Sequence, residues 1–267
     1  MTTPADRSLV RTSRRVVVKV GSSSISGANA ANIEPLVDAL AAVHARGAEV
    51  ILVSSGAIAT GMPYLRLKSR PTDLATQQAA AAVGQNALVY RYQDSLDRYD
   101  IVAGQVLLTA GDLENASHRS NAQRAMERLL ALRILPIVNE NDTVATHEIR
   151  FGDNDRLAAL VSTLVGADAL VLLSDVDAIF TRPPDEPGAE RIPLVTDGSE
   201  LVDVTFGAST SGVGTGGAST KVSAARLAAA SGTGVLVTSI DRVADALAGD
   251  DVGTWFQPRS DDGAEAR

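Results

Sequence analysis

The chain has 267 residues, of which about 45% are apolar and only 3% aromatic, so any core is built from aliphatic side chains. It contains no cysteine, which excludes disulfides, thiol catalysis and cysteine-based zinc sites. A formal net charge of −8 gives no general attraction to nucleic acid, because contacts to phosphate dominate that affinity, and it is typical of a soluble protein without a nucleic-acid partner.

The N-terminal segment, residues 1–15, lacks the apolar stretch of a secretory signal. Further along the chain, no apolar segment reaches the length that a bilayer-spanning helix needs. We therefore expect a cytoplasmic protein with no membrane partner.

Strand and helix patterns then alternate. Predicted strands occupy residues 16–20, 49–56, 101–108, 134–142, 169–180 and 234–239. Predicted helices occupy residues 33–46, 74–96, 121–133, 156–167 and 221–230, with a short one near 243–247. Residues 143–155 alternate in polarity and predict a hairpin, and the proline-rich residues 181–193 predict a loop. The alternation favours an α/β fold with a mainly parallel sheet, helices on both faces and ligands at the carboxyl ends of the strands.

The first strand, VVVKV, carries a lysine just before the turn GSSSISG. In a central strand the Lys19 ammonium should emerge at the strand end, over the ligand crevice. In an edge strand the same lysine would only guard against aggregation. The glycine and serines that follow can offer N–H groups and hydroxyls to an anion, so we favour anion binding.

Two further strand ends carry polar clusters. VSSGA places Ser55 and Gly56 where a helix begins, and the free N–H groups there attract anions. An ordinary helix cap explains that motif at least as well. NENDTVAT places Asn139 and Asp142 at the end of a later strand, where they suit the ammonium and carboxylate of one small ligand.

Acidic and amide side chains also cluster in GDNDR and SDVDAIF. In the first motif, Asp153, Asn154 and Asp155 exceed what capping a helix requires. They suit magnesium, a ligand amino group or the orientation of lysines, and the sequence does not choose among these. In the second motif, Ser174 and Asp175 suit a nucleotide, and a simple aspartate turn is an equal alternative.

The glycine-rich stretch GVGTGGASTK, residues 212–221, matches G-x-G-x-x-G. No buried strand precedes it, as a dinucleotide fingerprint requires, and Thr220 stands where a P-loop has glycine before its lysine. A flexible linker is an alternative, but linkers seldom end in a lysine that starts a helix. We favour a phosphate-binding loop in which backbone N–H groups approach an anion and Lys221 supplies a charge.

Two lysines on separate loops suit phosphoryl transfer, which depends on positioning and charge neutralisation. The three histidines are scattered, and the sequence offers no convincing general base. A carboxylate acceptor fits this set, because a glutamate carboxyl with a pKa near ~4.3 is already ionised at neutral pH. A catalytically silent sensor of an amino acid and a nucleotide is an alternative of another class. A dinucleotide-dependent oxidoreductase would rest on the G-x-G-x-x-G match alone.

Six motifs taken together carry a family resemblance. VVVKVGSS, ILVSSGAIATG, PIVNENDTVAT, GDNDRLAAL, LLSDVDAIF and GTGGASTK, in this order, closely resemble those of the glutamate 5-kinases, which belong to the amino acid kinase family. The resemblance covers about residues 16–252. It implies a three-layer αβα sandwich and ATP-dependent phosphorylation of the γ-carboxylate of L-glutamate, the first step of proline biosynthesis. Acetylglutamate, aspartate, carbamate and uridylate kinases share single motifs and remain the alternatives.

The resemblance also implies residue roles. Lys19 and Lys221 would stabilise the transferred phosphoryl group, and Asp155 would hold both lysines. The residues implied to bind glutamate are Ser55, Gly56, Asn139, Asp142, Asp153 and Asn154. The residues implied to bind ATP are Lys19, Ser174, Asp175, Thr215, Gly216, Gly217, Ala218, Ser219, Thr220 and Lys221. Mg²⁺ would bridge the phosphates, and no residue is assigned to it.

Partners and domain limits follow from the same resemblance. It implies L-proline as a feedback inhibitor at or beside the glutamate site, and a homo-oligomer, either dimer or tetramer. Residues 1–15 would be an N-terminal extension, 16–256 the kinase domain and 257–267 a tail. Many members of the family continue there into an RNA-binding-like PUA-type domain.

Overall fold

The structure is a computed structural model, and it describes residues 7–145, 154–202, 204 and 217–259. Most of the predicted hairpin and the glycine-rich residues 212–216 lie outside the described residues. All other predicted strands and helices lie within them.

Runs of β-branched and aliphatic residues form the strands, as such runs do when a strand is buried on both faces. Within the described residues there are eight strands: β1 (Arg15–Val20), β2 (Glu49–Ser54), β3 (Ala103–Leu108), β4 (Leu135–Glu140), β5 (Ala169–Ser174), β6 (Leu194–Val195), β7 (Gly234–Ser239) and β8 (Thr254–Phe256). They form one sheet in the order β3-β4-β2-β1-β5-β7-β8-β6. Every neighbouring pair is parallel except β7 and β8, so the expected mainly parallel sheet is confirmed.

Helices connect the strands. In chain order the described α-helices are α1 (Leu9–Thr12), α2 (Ser22–Ile25), α3 (Ile33–Ala45), α4 (Ala57–Gly61), α5 (Leu74–Leu96), α6 (Ala110–Glu114), α7 (Ala116–Ala131), α8 (Asn154–Val165), α9 (Ala218–Ala230) and α10 (Val243–Ala248). Short 3₁₀ turns lie at Gly27–Asn32, Asp97–Tyr99, Ser199–Leu201 and Ile240–Arg242. Among the described residues, no helix is long and apolar enough to cross a bilayer.

The sheet separates two apolar layers, because successive side chains of a strand point to opposite faces. Val16 and Val18 of β1 pack in the layer that contains α3, α10 and the second half of α5. Val17 packs in the opposite layer, with α7, α8 and α9. This is the expected three-layer αβα sandwich. The alternation also places Lys19 on the same face as Val17, toward α8 and α9.

The chain changes direction across the sheet at β1. It passes from β1 to β2 on one side, and after β4 it crosses to β5 on the other side of β1. The carboxyl ends of β1, β2, β4 and β5 therefore meet at one edge, where parallel α/β sheets bind their ligands.

Helices α4 and α5 pack against each other through glycine. A Cβ built on Gly84 would lie 1.7 Å from the carbonyl oxygen of Ala57, and one on Gly61 would lie 1.9 Å from the carbonyl oxygen of Ala80. Contacts this short leave no room for a side chain at either crossing. The backbone of α4, which follows β2, is thereby held at a fixed distance from α5.

The far edge of the sheet differs from the prediction. The sequence gives no strand signal at residues 254–256, yet β8 forms there and pairs antiparallel with β7. A three-residue strand is too short to show alternation, although Trp255 and Phe256 pack on opposite faces of the sheet. Its position depends on tertiary packing.

We expect Gly84→Ala to destabilise the protein, because the new methyl group meets a backbone oxygen that cannot move without displacing α4. Overpacking of this kind costs about 1–3 kcal/mol. Urea unfolding measures the loss. Gly111→Ala in α6 is the matched control, since its Cβ would meet only the Thr109 hydroxyl at 3.8 Å and should be neutral or stabilising. Equal stability of the two variants would contradict the close helix crossing.

Candidate active site

Lys19 lies at the centre of the sheet. In β1 it is aligned with Val53 of β2 on one side and Leu172 of β5 on the other, so the edge-strand alternative is wrong. Only 3% of the residue is exposed. An ammonium so deeply buried requires a partner of opposite charge.

The partner is Asp155, in the first turn of α8. Its Oδ1 lies 2.5 Å from the Nζ of Lys19. Its Oδ2 lies 3.2 Å from the Nζ of Lys221, which is in the first turn of α9. The Asp155 side chain is completely buried, and the lysine side chains are 4% and 9% exposed. One carboxylate thus links a strand end to the starts of two helices.

In this group of three, Lys19, Asp155 and Lys221, one carboxylate holds two ammonium groups close together at the carboxyl edge of the sheet. Cations held in this way can attract an anion. The chain has three lysines in all, and the third, Lys68, is exposed.

The start of α9 extends this group. Thr220 accepts a hydrogen bond from the backbone N–H of Gly217 at 3.1 Å, and its Oγ1 lies 3.4 Å from Asp155 Oδ2. Ala218 and Ser219 lie in the same first turn. The last residues of the glycine-rich stretch therefore lie beside the buried carboxylate.

A second set of contacts lies at the ends of β2 and β4. The side-chain amide of Asn154 donates to the carbonyl oxygen of Ser54 and to Oδ1 of Asn139, both at 2.8 Å. The same Oδ1 accepts the backbone N–H of Glu140, which fixes the orientation of the Asn139 amide. Asn139 is 4% exposed, and among the described residues its Nδ2 has no acceptor. A buried donor without an acceptor is costly and indicates a ligand oxygen.

The loops after β1 and β2 meet at Gly56. This residue has φ +98°, and a Cβ on it would lie 3.6 Å from the Cα of Ser22. The backbone N–H of Ser55 donates to the carbonyl oxygen of Val20 at 3.1 Å. Helix α4 begins at Ala57, so the expected helix start after Gly56 is confirmed.

The other predicted residues are spread along the same edge. Asp142 is half-buried in the turn after β4. Ser174 ends β5 and donates to the Asp175 carboxylate at 3.0 Å. Asp153, Thr215 and Gly216 lie outside the described residues.

One residue near the site, Ser54, was not assigned from the sequence. The motif VSSGA points to Ser55, but it is the carbonyl oxygen of Ser54 that accepts a hydrogen bond from Asn154. In the sequence it is simply the last residue of a buried strand, and no pattern distinguishes its role.

In the described part of the chain, histidine, aspartate and glutamate form no cluster of three that could hold a metal.

Comparison with known proteins places this geometry in a family. Residues 14–239 match the sequence profile of the amino acid kinase family. Glutamate 5-kinase of Clavibacter sepedonicus is 73% identical over 256 residues, which are 96% of this chain and 99% of that protein. Glutamate 5-kinase of Leifsonia xyli subsp. xyli is 71% identical over 98% of this chain and 97% of that protein. Glutamate 5-kinase of Streptomyces coelicolor is 56% identical over 94% of this chain, but over only 68% of its own length.

The fold is also that of a solved structure. Carbamate kinase from Giardia lamblia bound to AMP-PNP superposes with a TM-score of 0.68, covering 93% of this chain and 100% of the other. The two sequences are 16% identical, so the likeness concerns the fold alone.

We expect Asp155→Asn to destabilise the folded protein, because it removes the carboxylate that contacts both buried ammonium groups. Removing one partner of a buried ion pair costs about 3–5 kcal/mol. The free energy of unfolding in urea measures this loss. Asp94→Asn on the exposed side of α5 is the control and should stay within about 0.5 kcal/mol of wild type. Similar stability of both variants would show that Asp155 does not hold the lysines.

Proposed function

The chain belongs to the amino acid kinase family and, within it, to the glutamate 5-kinases, and we propose on this basis that it transfers the γ-phosphoryl group of ATP to the γ-carboxylate of L-glutamate. The product is L-glutamyl 5-phosphate, and the reaction is the first step of proline biosynthesis. The identity of 73% over 96% of the chain supports this substrate over those of the sister kinases.

The observation that carries the proposal is the contact of Asp155 with both Lys19 and Lys221. Phosphoryl transfer places negative charge on the equatorial oxygens of the moving group, and catalysis consists largely of positioning and charge stabilisation. Two ammonium groups held by one carboxylate supply both. In our proposal Lys19 and Lys221 flank the phosphoryl group, and Asp155 fixes the distance between them.

The acceptor would bind at the ends of β2 and β4. The Asn139 Nδ2 donor, which has no acceptor among the described residues, suits a carboxylate oxygen. Asn154 orients that amide. We assign Ser55, Gly56 and Asp142 to the same site because they line the adjoining loops. Asp153 is assigned from the family resemblance alone.

ATP would bind between the start of α9 and the end of β5. Glycine-rich backbone up to Gly217 can approach the phosphates closely, and Ser174 and Asp175 lie at the edge beside them. Thr215, Gly216, Ala218, Ser219 and Thr220 complete the proposed set. The described residues contain no cluster of three metal-ligating side chains, and Mg²⁺ does not require one, because one or two carboxylates suffice when substrate phosphates and water complete its coordination. Mg²⁺ commonly binds through substrate phosphates and water, and when bound it would neutralise charge on the phosphates.

The chemical step needs no protein base. A γ-carboxylate oxygen of glutamate attacks the γ-phosphorus of ATP, and the bond from that phosphorus to the β–γ bridging oxygen breaks to release ADP. The carboxylate is already ionised at neutral pH, so no proton has to be removed. The scattered histidines are consistent with this chemistry.

Further partners remain proposals. We propose a homo-oligomer, a dimer or a tetramer, that assembles through the free edge of β3, which pairs only with β4 among the described strands. Val102, which directly precedes β3, is 56% exposed, and an open strand edge with an apolar neighbour favours pairing with a second chain. L-proline as an inhibitor at or beside the glutamate site rests on the family resemblance, and a cytoplasmic location rests on the sequence patterns of the N-terminal segment and of the apolar stretches.

We expect the purified protein to form γ-glutamyl hydroxamate from L-glutamate, ATP, Mg²⁺ and hydroxylamine, because hydroxylamine traps an acyl phosphate. N-acetylglutamate, aspartate and UMP serve as the competing acceptors, with ADP release measured in parallel. Turnover with one of these, and none with L-glutamate, would assign the chain to a sister kinase instead.

Lys221→Ala should reduce kcat by about 10³-fold, the scale for losing one contact to transition-state charge. Lys68→Ala is the matched control, because Lys68 is the one exposed lysine of the chain. Circular dichroism and the melting temperature show whether each variant is folded. A folded Lys221→Ala variant with the turnover of wild type would disprove the assigned role.

A further inference from the structure

Helix α5 carries three polar side chains spaced seven residues apart, Gln78, Gln85 and Tyr92. Seven residues of an α-helix are about 20° short of two full turns, so the three lie in a row along one face of the helix. In a surface helix such residues would face water, yet Tyr92 is fully buried and Gln85 is 7% exposed. The row therefore faces the interior of the protein.

Tyr92 binds the end of β2. Its hydroxyl lies 2.9 Å from the Oγ of Ser54, which is itself fully buried. Either hydroxyl can donate in this pair, and when Ser54 Oγ donates to the carbonyl oxygen of Ser55 at 3.0 Å, the Tyr92 hydroxyl is the donor to Ser54. Burial raises the pKa of Tyr92, which keeps that proton in place.

The two glutamines bind the last residue of β4 and the turn that follows it. Gln85 Nε2 donates to the carbonyl oxygen of Glu140 at 3.4 Å, and Gln78 Nε2 donates to that of Ala145 at 3.3 Å. Both contacts are with the backbone, so they constrain the path of the loop independently of its side chains.

The two segments held by α5 are those that build the acceptor site. Ser54 and Ser55 lead into Gly56, and Glu140 follows Asn139. Asn154 bridges the same two strand ends from the opposite side, through Ser54 O and Asn139 Oδ1. The close glycine contacts between α4 and α5 fix the distance of α5 from α4 and therefore from the loop after β2.

We propose that Gln78, Gln85 and Tyr92 are positioning residues that set the separation of the loops after β2 and β4 and thereby the affinity for the carboxylate acceptor, which they do not touch. The identity of that acceptor as L-glutamate rests on the proposed function. The row of α5 side chains acts on the acceptor site and leaves the nucleotide side, which lies at α9 and β5, unchanged.

Tyr92→Phe tests the proposal, since it removes one hydroxyl and keeps the ring. We expect the KM for L-glutamate to rise about three- to tenfold, the range for one lost hydrogen bond, with kcat and the KM for ATP within about twofold of wild type. The stabilisation of the melting temperature by L-glutamate should shrink in parallel, and that by AMP-PNP should not.

Tyr99→Phe is the matched control. The Tyr99 hydroxyl donates to the Asp38 carboxylate at 2.8 Å on the surface, so this variant also loses one phenol hydrogen bond but touches neither loop. It should leave both KM values unchanged. Gln85→Met, which keeps the length of the side chain, should raise the KM for L-glutamate as Tyr92→Phe does, and it decides the question if Tyr92→Phe does not fold.

A folded variant with a lower melting temperature and the KM values of wild type would overturn the proposal, because Tyr92 and Gln85 would then be structural only. Equal rises in the KM for glutamate and for ATP would overturn it as well. Failure of the proposed function is a separate result, seen as absence of hydroxamate from L-glutamate with the wild-type protein. The same variants are then compared on whichever carboxylate the wild type accepts.

Discussion

The structure depends on one buried carboxylate. Asp155 is completely enclosed, and its two oxygens hold Lys19 and Lys221. Burying a charge is unfavourable unless it is paired and hydrogen-bonded, so this contact constrains the placement of β1, α8 and α9 together. The alternation of side chains along β1 directs Lys19 to the face of the sheet that α8 and α9 cover. From their first turns, α8 contributes Asp155 to this contact and α9 contributes Lys221.

Much of the fold could be predicted from the sequence, because buried parallel strands are continuous aliphatic runs. The runs ending at Val20, Ser54 and Ser174 each became a strand of the sheet, and the polar residues after them lie at its carboxyl edge. The position of Lys19 in a central strand was also predictable, since a lysine among valines has few structural uses. The edge-strand alternative fails because β1 lies between β2 and β5.

The remaining features depend on tertiary contacts that leave no local pattern. The pairing of Asp155 with two lysines was implied by the family resemblance and by no local pattern, because Asp155 and Lys221 are 66 residues apart in the chain. The polar row on α5 resembles an ordinary solvated face in a segment rich in alanine and glutamine. Gly61 and Gly84 are ordinary helix-weakening glycines in the sequence, and only the crossing of α4 and α5 reveals why no side chain fits there.

Because the chain has so few lysines, chemical labelling of primary amines can report on the buried site. The chain carries 24 cationic side chains of lysine and arginine, and all but three of them are arginine. Two of the three lysines are those that Asp155 holds, and the third is on the open surface. A reagent that acylates primary amines therefore has one freely accessible side-chain target, and further labelling reports the opening of the buried site.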